Sequence, residues 1–143
     1  MTGRARLQPQ LRRCVSGSTV VEFAMLAPAF LLLLFGLLEY CRVMWVRQVV
    51  AEAAFTSARC ASMGMAQCRT AAAIRTYAVA RGADSGVTLT TAGVTPALNV
   101  TCNGYTANRV EITYDVDSPL AEFLPAVPAT LSAHACFPAP TPA

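Results

Sequence analysis

Gly17-Ser18-Thr19-Val20-Val21-Glu22-Phe23-Ala24-Met25-Leu26-Ala27-Pro28-Ala29-Phe30-Leu31-Leu32-Leu33-Leu34-Phe35-Gly36-Leu37-Leu38 is the stretch on which the reading of this chain turns. From Phe23 to Leu38 it carries no charge. Val20 to Leu38 is 19 residues, and as a helix that run covers about 28 Å, close to the hydrocarbon thickness of a bilayer. A plain membrane anchor accounts for all of it except Glu22. A charge within a membrane helix costs about 2.5–3.5 kcal/mol on insertion scales, so a carboxylate at the lip of the run needs a reason.

The residues on either side set the orientation. Arg4, Arg6, Arg12 and Arg13 precede Gly17, and such a cluster ahead of an apolar run keeps the N-terminus cytoplasmic and sends the remainder across the membrane. Those four also account for the net charge of +3. Beyond Gly17, seven Arg face eight acids, and no Lys occurs anywhere. A near-neutral remainder excludes nucleic-acid binding through a basic surface. The 55% hydrophobic and 13% charged composition of the 143 residues is too apolar for disorder. It suits one span plus one small domain of roughly 80 residues.

No small-residue cleavage site follows the run directly. Glu39-Tyr40-Cys41-Arg42-Val43-Met44-Trp45-Val46-Arg47 comes instead, and its aromatic and Arg residues suit an interfacial belt on the exported side. The span is therefore expected to be retained. Helix propensity then continues through an Ala-rich segment without Pro or Gly, with Val49, Ala53 and Val50, Ala54 at i, i+4 spacing. One helix is expected from about Ser18 to about Met63, with Pro28 inside it, a residue that membrane helices tolerate. Gly64 is the expected break. Gln67 to Arg81 reads as a second helix with Ile74, Tyr77 and Ala78 on one face and Gly82 closing it.

From Gly86 the period changes to two. Val87 and Leu89, then Leu98, Val100 and Cys102, then Val110, Ile112, Tyr114 and Val116, and finally Thr130 to Phe137 read as strands. A Pro-interrupted loop with an apolar tuft at Leu120, Phe123 and Leu124 separates the last two. The fold class is α+β: a long N-terminal helix that spans the membrane in its first half, a second short helix, and a small antiparallel sheet of about four strands.

Of the six cysteines, Cys14 lies in the basic head and Cys41 at the far end of the span; Cys60, Cys68, Cys102 and Cys136 lie in the exported part. Four cysteines in an oxidising compartment suggest two disulfides, with three possible connectivities. In one straight helix Cys60 and Cys68 would stand about 12 Å apart, too far for a bond. A turn at Gly64 brings them together, and closing that loop contributes about 2.6 kcal/mol on the chain-entropy model. Cys102 and Cys136 alternate out of phase with each other's apolar neighbours, so their bond requires a bulge or a terminal residue released from the ladder.

Catalysis and metal binding find little support. The only His is His134, read as an exposed strand residue. Ser85 sits in Gly82-Ala83-Asp84-Ser85-Gly86, which is not a nucleophile elbow. No phosphate-cradling Gly loop occurs, and the cysteine spacings lack C-x-x-C. Asn99-Val100-Thr101 matches a glycosylation sequon, a triplet that chance often produces. The expectation is no enzyme, no cofactor, no metal and no nucleic acid.

Gly17, four residues, then Glu22 and Phe23 resembles the processing site of type IV prepilins. The longer stretch through Ala24, Pro28 and Glu39 to Ala51-Glu52-Ala53-Ala54-Phe55-Thr56-Ser57-Ala58-Arg59 is similar to the TadE-like pseudopilins (minor pilins) of the Tad/Flp pilus system. The resemblance covers about residues 15–63. It implies cutting between Gly17 and Ser18 by a prepilin peptidase, with Glu22 and Phe23 as the processing and assembly motif. Residues 1–17 would then be a cytoplasmic leader, 18–47 the transmembrane helix and its exported flank, and 48–143 a periplasmic pilin-like domain. Implied partners are the prepilin peptidase, other pilin-like subunits and the Tad inner-membrane platform. Two alternatives compete: an uncleaved single-pass anchored binding or structural protein, and a membrane-tethered hydrolase or redox enzyme.

Overall fold

α1 (Ser16–Ser62) is one helix of 47 residues with Pro28 inside it. The computed structural model describes residues 16–118 and 128–139, with side chains from Thr19 onward. Expectations for residues 1–15, among them Cys14 and the Arg cluster, lie outside the described residues. So does the apolar tuft at Leu120, Phe123 and Leu124. The chain divides into two compact units, Met1–Phe35 and Gly36–Ala143.

In the first unit the described residues are all helical and nearly all exposed. In the second, α1 becomes the base of a core. Glu39, Val43, Val46, Val50, Ala53, Ser57 and Cys60 are all buried, at alternating spacings of four and three residues. That is a seven-residue repeat, the pattern that keeps one stripe of a helix facing a single partner. Val49, Ala54, Ala58 and Ala61 widen the stripe and are buried too. The helix stops at Gly64, whose φ of 64° a side chain would resist. There Met65 N–H bonds Cys60 O and Gly64 N–H bonds Ala61 O, the paired reverse bonds of a left-handed cap. The turn folds the chain back so that Cys60 and Cys68 are disulfide-bonded, their Cα atoms 5.8 Å apart.

α2 (Ala71–Asp84) follows a short 3-10 turn at Ala66–Cys68. Thr70 caps it, its hydroxyl accepting from Ala73 N–H at 3.2 Å. Ile74, Ala78 and Gly82 form its buried face, with Tyr77 partly buried beside them. Gly82 does not close this helix. It lies inside α2 and serves close packing: a Cβ there would stand 2.6 Å from Leu89 Cγ and 2.8 Å from Val87 O. Closure belongs to Gly86 (φ 76°), with Gly86 N–H on Ala83 O and Val87 N–H on Gly82 O.

The sheet has three strands where about four were expected: β1 (Val94–Cys102), β2 (Tyr105–Asp115) and β3 (Thr130–Pro138), antiparallel in that order. The missing strand is Val87–Thr90. Val87 and Leu89 are buried as alternation suggested, but they dock on the end of α2 rather than joining a ladder. A two-residue turn at Asn103-Gly104, both with positive φ, joins β1 to β2.

The expected bulge is present. Ala97 pairs with Arg109 and Val100 with Ala107, so Leu98 and Asn99 together oppose Asn108. Before the bulge, Val94 pairs with Ile112 on the core side. After it, Cys102 pairs with Tyr105 on the opposite side, where Cys136 pairs with Arg109. The bulge therefore moves Cys102 onto the face of Cys136, and the two are disulfide-bonded. They sit on strands that flank β2 without being neighbours. Ala107, fully buried yet outside the main core cluster, shares that face midway between Tyr105 and Arg109. Asn108, on the core side, organises the bulge: its Oδ1 accepts from Asn99 N–H, and its Nδ2 donates to Ser62 Oγ at the end of α1. Ser62 Oγ in turn donates to Phe137 O of β3.

Ser57 Oγ is buried with no hydrogen-bond partner. An unsatisfied buried hydroxyl costs about 1–3 kcal/mol, so Ser57→Ala is expected to leave stability unchanged or raise it by about 1 kcal/mol. Gly82→Ala is expected to lower it by about 1–3 kcal/mol, because backbone as well as Leu89 must move. Denaturant unfolding of the full chain in detergent, followed by circular dichroism, checks both.

Candidate functional site: the N-terminal helix and its polar boundaries

The Gly17–Ser18 bond falls within the first turn of α1, and Glu22 stands four residues from Ser18, about 6 Å along the axis. Phe23 and Met25 are 72% and 77% exposed, and Leu26, Phe30, Leu32 and Leu33 are also exposed. No residue in the most apolar window of the helix is buried. This separates it from the core helix of a water-soluble domain, whose apolar face is covered by its own fold. Among the described residues, α1 is the one helix long and apolar enough to cross a membrane.

At the other end of the apolar run a second carboxylate is held quite differently. Glu39 is buried, and Arg42 grips it with two bonds, Nε to Oε2 at 2.9 Å and Nη2 to Oε1 at 2.7 Å. Arg42 Nη2 also donates to Asp117 O at 2.8 Å, beyond the end of β2. The hydrogen bonds from Arg42, and next from Ser118, outweigh burial and hold the Glu39 carboxyl well below its ordinary 4.5, at about 2. The same pairing raises Arg42 above its ordinary value. This joint fixes the first residues of the second unit to the segment that follows β2.

In the sequence, Glu39 stands directly after the uncharged run and Arg42 among the residues that suit an interfacial belt. Their i, i+3 spacing was a visible pairing signal, but the third partner, a backbone carbonyl 75 residues away, was not. Asn108 and its relay were missed for a similar reason: a polar residue in a strand reads as surface until the bulge opposite it is known. His134 is exposed on β3 opposite Glu111. Cys41 is a free, exposed thiol. Among the described residues no three His, Cys, Asp or Glu side chains converge as metal ligands.

Because Glu39 is held low, its contribution to stability is complete above about pH 4.5 and is lost as pH falls toward about 2. Glu39→Gln is expected to be less stable than the native chain at neutral pH, the gap narrowing steadily between those two values. Denaturant midpoints of the two proteins across that range measure it; a gap independent of pH contradicts the assignment.

No curated protein and no solved structure matches the chain. A family model described as TadE-like protein does match its N-terminal part, residues 17–59, from the glycine ahead of the apolar run to the last turn of the buried heptad stripe.

Proposed function

We propose that this chain is a minor pilin or pseudopilin of a Tad/Flp-type pilus system, cut between Gly17 and Ser18 by a prepilin peptidase and required for assembly of adhesive pili. The observation that carries the reading is the combination, within one TadE-like segment, of an uncovered apolar helix and the Gly17–Glu22–Phe23 motif at its start. Single-pass anchoring in the inner membrane follows, with residues 1–17 as a cytoplasmic leader. Residues 18–47 form the span and its exported flank, and 48–143 a periplasmic domain. The two disulfides are suited to an oxidising compartment. The remaining partners are other pilin-like subunits and the Tad inner-membrane platform. The chain performs no catalysis of its own.

In this mechanism the uncovered helix rests in lipid before assembly and packs against other such helices afterwards. Cleavage leaves Ser18 with a free amine, and Glu22, one turn along, pairs with that amine in its own subunit or a neighbour. Two charges that neutralise each other only in the correct stagger would set the register of assembly, since a misaligned pair leaves both exposed to hydrocarbon. A carboxylate in the second turn also suits the positive end of the helix dipole.

The mature protein extracted from membranes is expected to begin at Ser18 on N-terminal sequencing. An intact Met1 supports the uncleaved anchor instead, and a cut beyond Leu38 would mean an ordinary secretory signal. Glu22→Ala is expected to be cleaved normally and to stop pilus formation. Normal piliation with that variant removes the register role.

A further inference from the structure

α1 carries a second seven-residue repeat, on the side turned away from its core. Leu37, Cys41, Met44, Gln48, Ala51 and Phe55 are all exposed and follow one another at spacings of four and three residues. Each stands two positions ahead of a member of the buried stripe, an offset of about 200° around the helix, so the two stripes lie on nearly opposite sides. All six belong to the second unit, Gly36–Ala143. Phe55 meets Phe137 edge-on and still keeps about half its surface exposed.

Charges border this outer stripe in a way that no contact within the chain uses. Arg47 directly precedes Gln48 and Glu52 directly follows Ala51, so the two stand on opposite borders. Five residues apart, they are separated by about 140° around the helix and do not face each other. Both are exposed, and neither has an ion pair among the described residues. Arg81 of α2 feels the charge of Glu52 but is itself paired with Asp84. In two parallel helices joined along a heptad seam, the residue just ahead of the seam on one helix meets the residue five places further on in the other. Arg47 of each copy then reaches Glu52 of the partner subunit, twice by symmetry. Cys41 and Gln48, one repeat apart, each face their own counterparts, and a polar residue at such a seam position fixes register.

We propose that two copies of this chain pair in parallel and in register along the outer stripe of α1, held by reciprocal Arg47–Glu52 ion pairs. The pairing rests on the single-pass anchoring proposed above, which makes neighbouring helices parallel, and does not depend on cutting at Gly17.

The full chain carrying Cys14→Ser, with Cys41 as its free thiol, is reconstituted in phospholipid vesicles and exposed briefly to diamide. Two Cys41 thiols give up two protons and two electrons, one S–S bond forms, and diamide is reduced to its hydrazine. A cross-linked dimer is expected, because an in-register parallel pair brings the two thiols together, whereas an antiparallel pair holds them apart. Arg47→Glu and Glu52→Arg alone are each expected to slow dimer formation at least about threefold, two attractions having become two repulsions. The double variant Arg47→Glu/Glu52→Arg is expected to restore it. Ser132→Cys in a Cys41→Ser background, which places the thiol on an exposed position of the sheet face away from α1, is expected not to cross-link. Vesicle flotation, run first, reads the anchoring by itself: a chain that does not float overturns the anchoring and this proposal with it. A floating chain that gives no dimer overturns the pairing alone, in favour of a different subunit on this stripe. Single reversals without effect, a double reversal that fails to rescue, or equally fast cross-linking through Ser132→Cys also overturns it.

Discussion

The second unit depends on how closely the second half of α1 can approach the sheet. Ala53, Ala54, Ala58 and Ala61 are small and buried in one cluster with Val110, Ile112 and Leu131 of the sheet and Ile74 and Ala78 of α2, and Ser57 is buried on the same stripe. Small side chains each remove little apolar area from water, so no single one stabilises the contact much. What they permit is close approach of backbone to sheet. The larger Val43, Val46 and Val50 then fill the end nearer the membrane run. Interiors pack at crystal-like density, so enlarging any alanine in the stripe must displace an element rather than a side chain.

Polar ties hold that contact in register at both ends of the buried stretch. Near its start, Arg42 reaches Asp117 O just past β2; at its end, Ser62 bonds Phe137 O and receives Asn108 Nδ2. Phe55 meets Phe137 edge-on between them, ring centroids 4.8 Å apart. The disulfides act on different freedoms. Cys60–Cys68 closes the turn after α1, whereas Cys102–Cys136 joins the two strands that flank β2. The second bond requires the bulge, and the bulge is built around Asn108. A cross-link on one face of the sheet thus relies on a buried amide on the other.

Much of this was legible in sequence because it is local. The uncharged run, the break at Gly64, the face formed by Ile74, Tyr77 and Ala78, and the need for a bulge near Cys102 all follow from spacing and residue type. The errors came from reading short patterns without knowing their partners. Val87 and Leu89 alternate like a strand, but their burial comes from docking on Gly82 of α2, and two apolar residues cannot reveal whether a ladder or a helix end covers them. Gly82 and Gly86 are both plausible helix stops. Only the close approach of Leu89 at one and the positive φ at the other tell packing from closure. The Gly17–Glu22–Phe23 motif is a fixed spacing within one helix, so it is visible in sequence without knowledge of the fold. The tie from Arg75 to Val94 O is not, since it joins residues about 20 positions apart through a carbonyl that any residue at position 94 would supply.

Two carboxylates bracket the apolar run, and the fold treats them differently. Glu39 is committed to the second unit: it is buried, doubly bonded by Arg42, and depressed in pKa by a side chain that also ties down Asp117 O. Its bonds are internal, so the second unit holds it whatever lies beyond. Glu22 belongs to the first unit, where Phe23, Met25 and Leu26 around it are exposed. A charge set among uncovered apolar side chains is sensitive to what comes to cover them, because hydrocarbon or a neighbouring helix strengthens any charge pairing there and water weakens it. On the proposed reading this difference divides the labour along α1. Glu39 keeps the exported domain intact at the membrane surface, and Glu22 reports whether the helix beside it is correctly aligned.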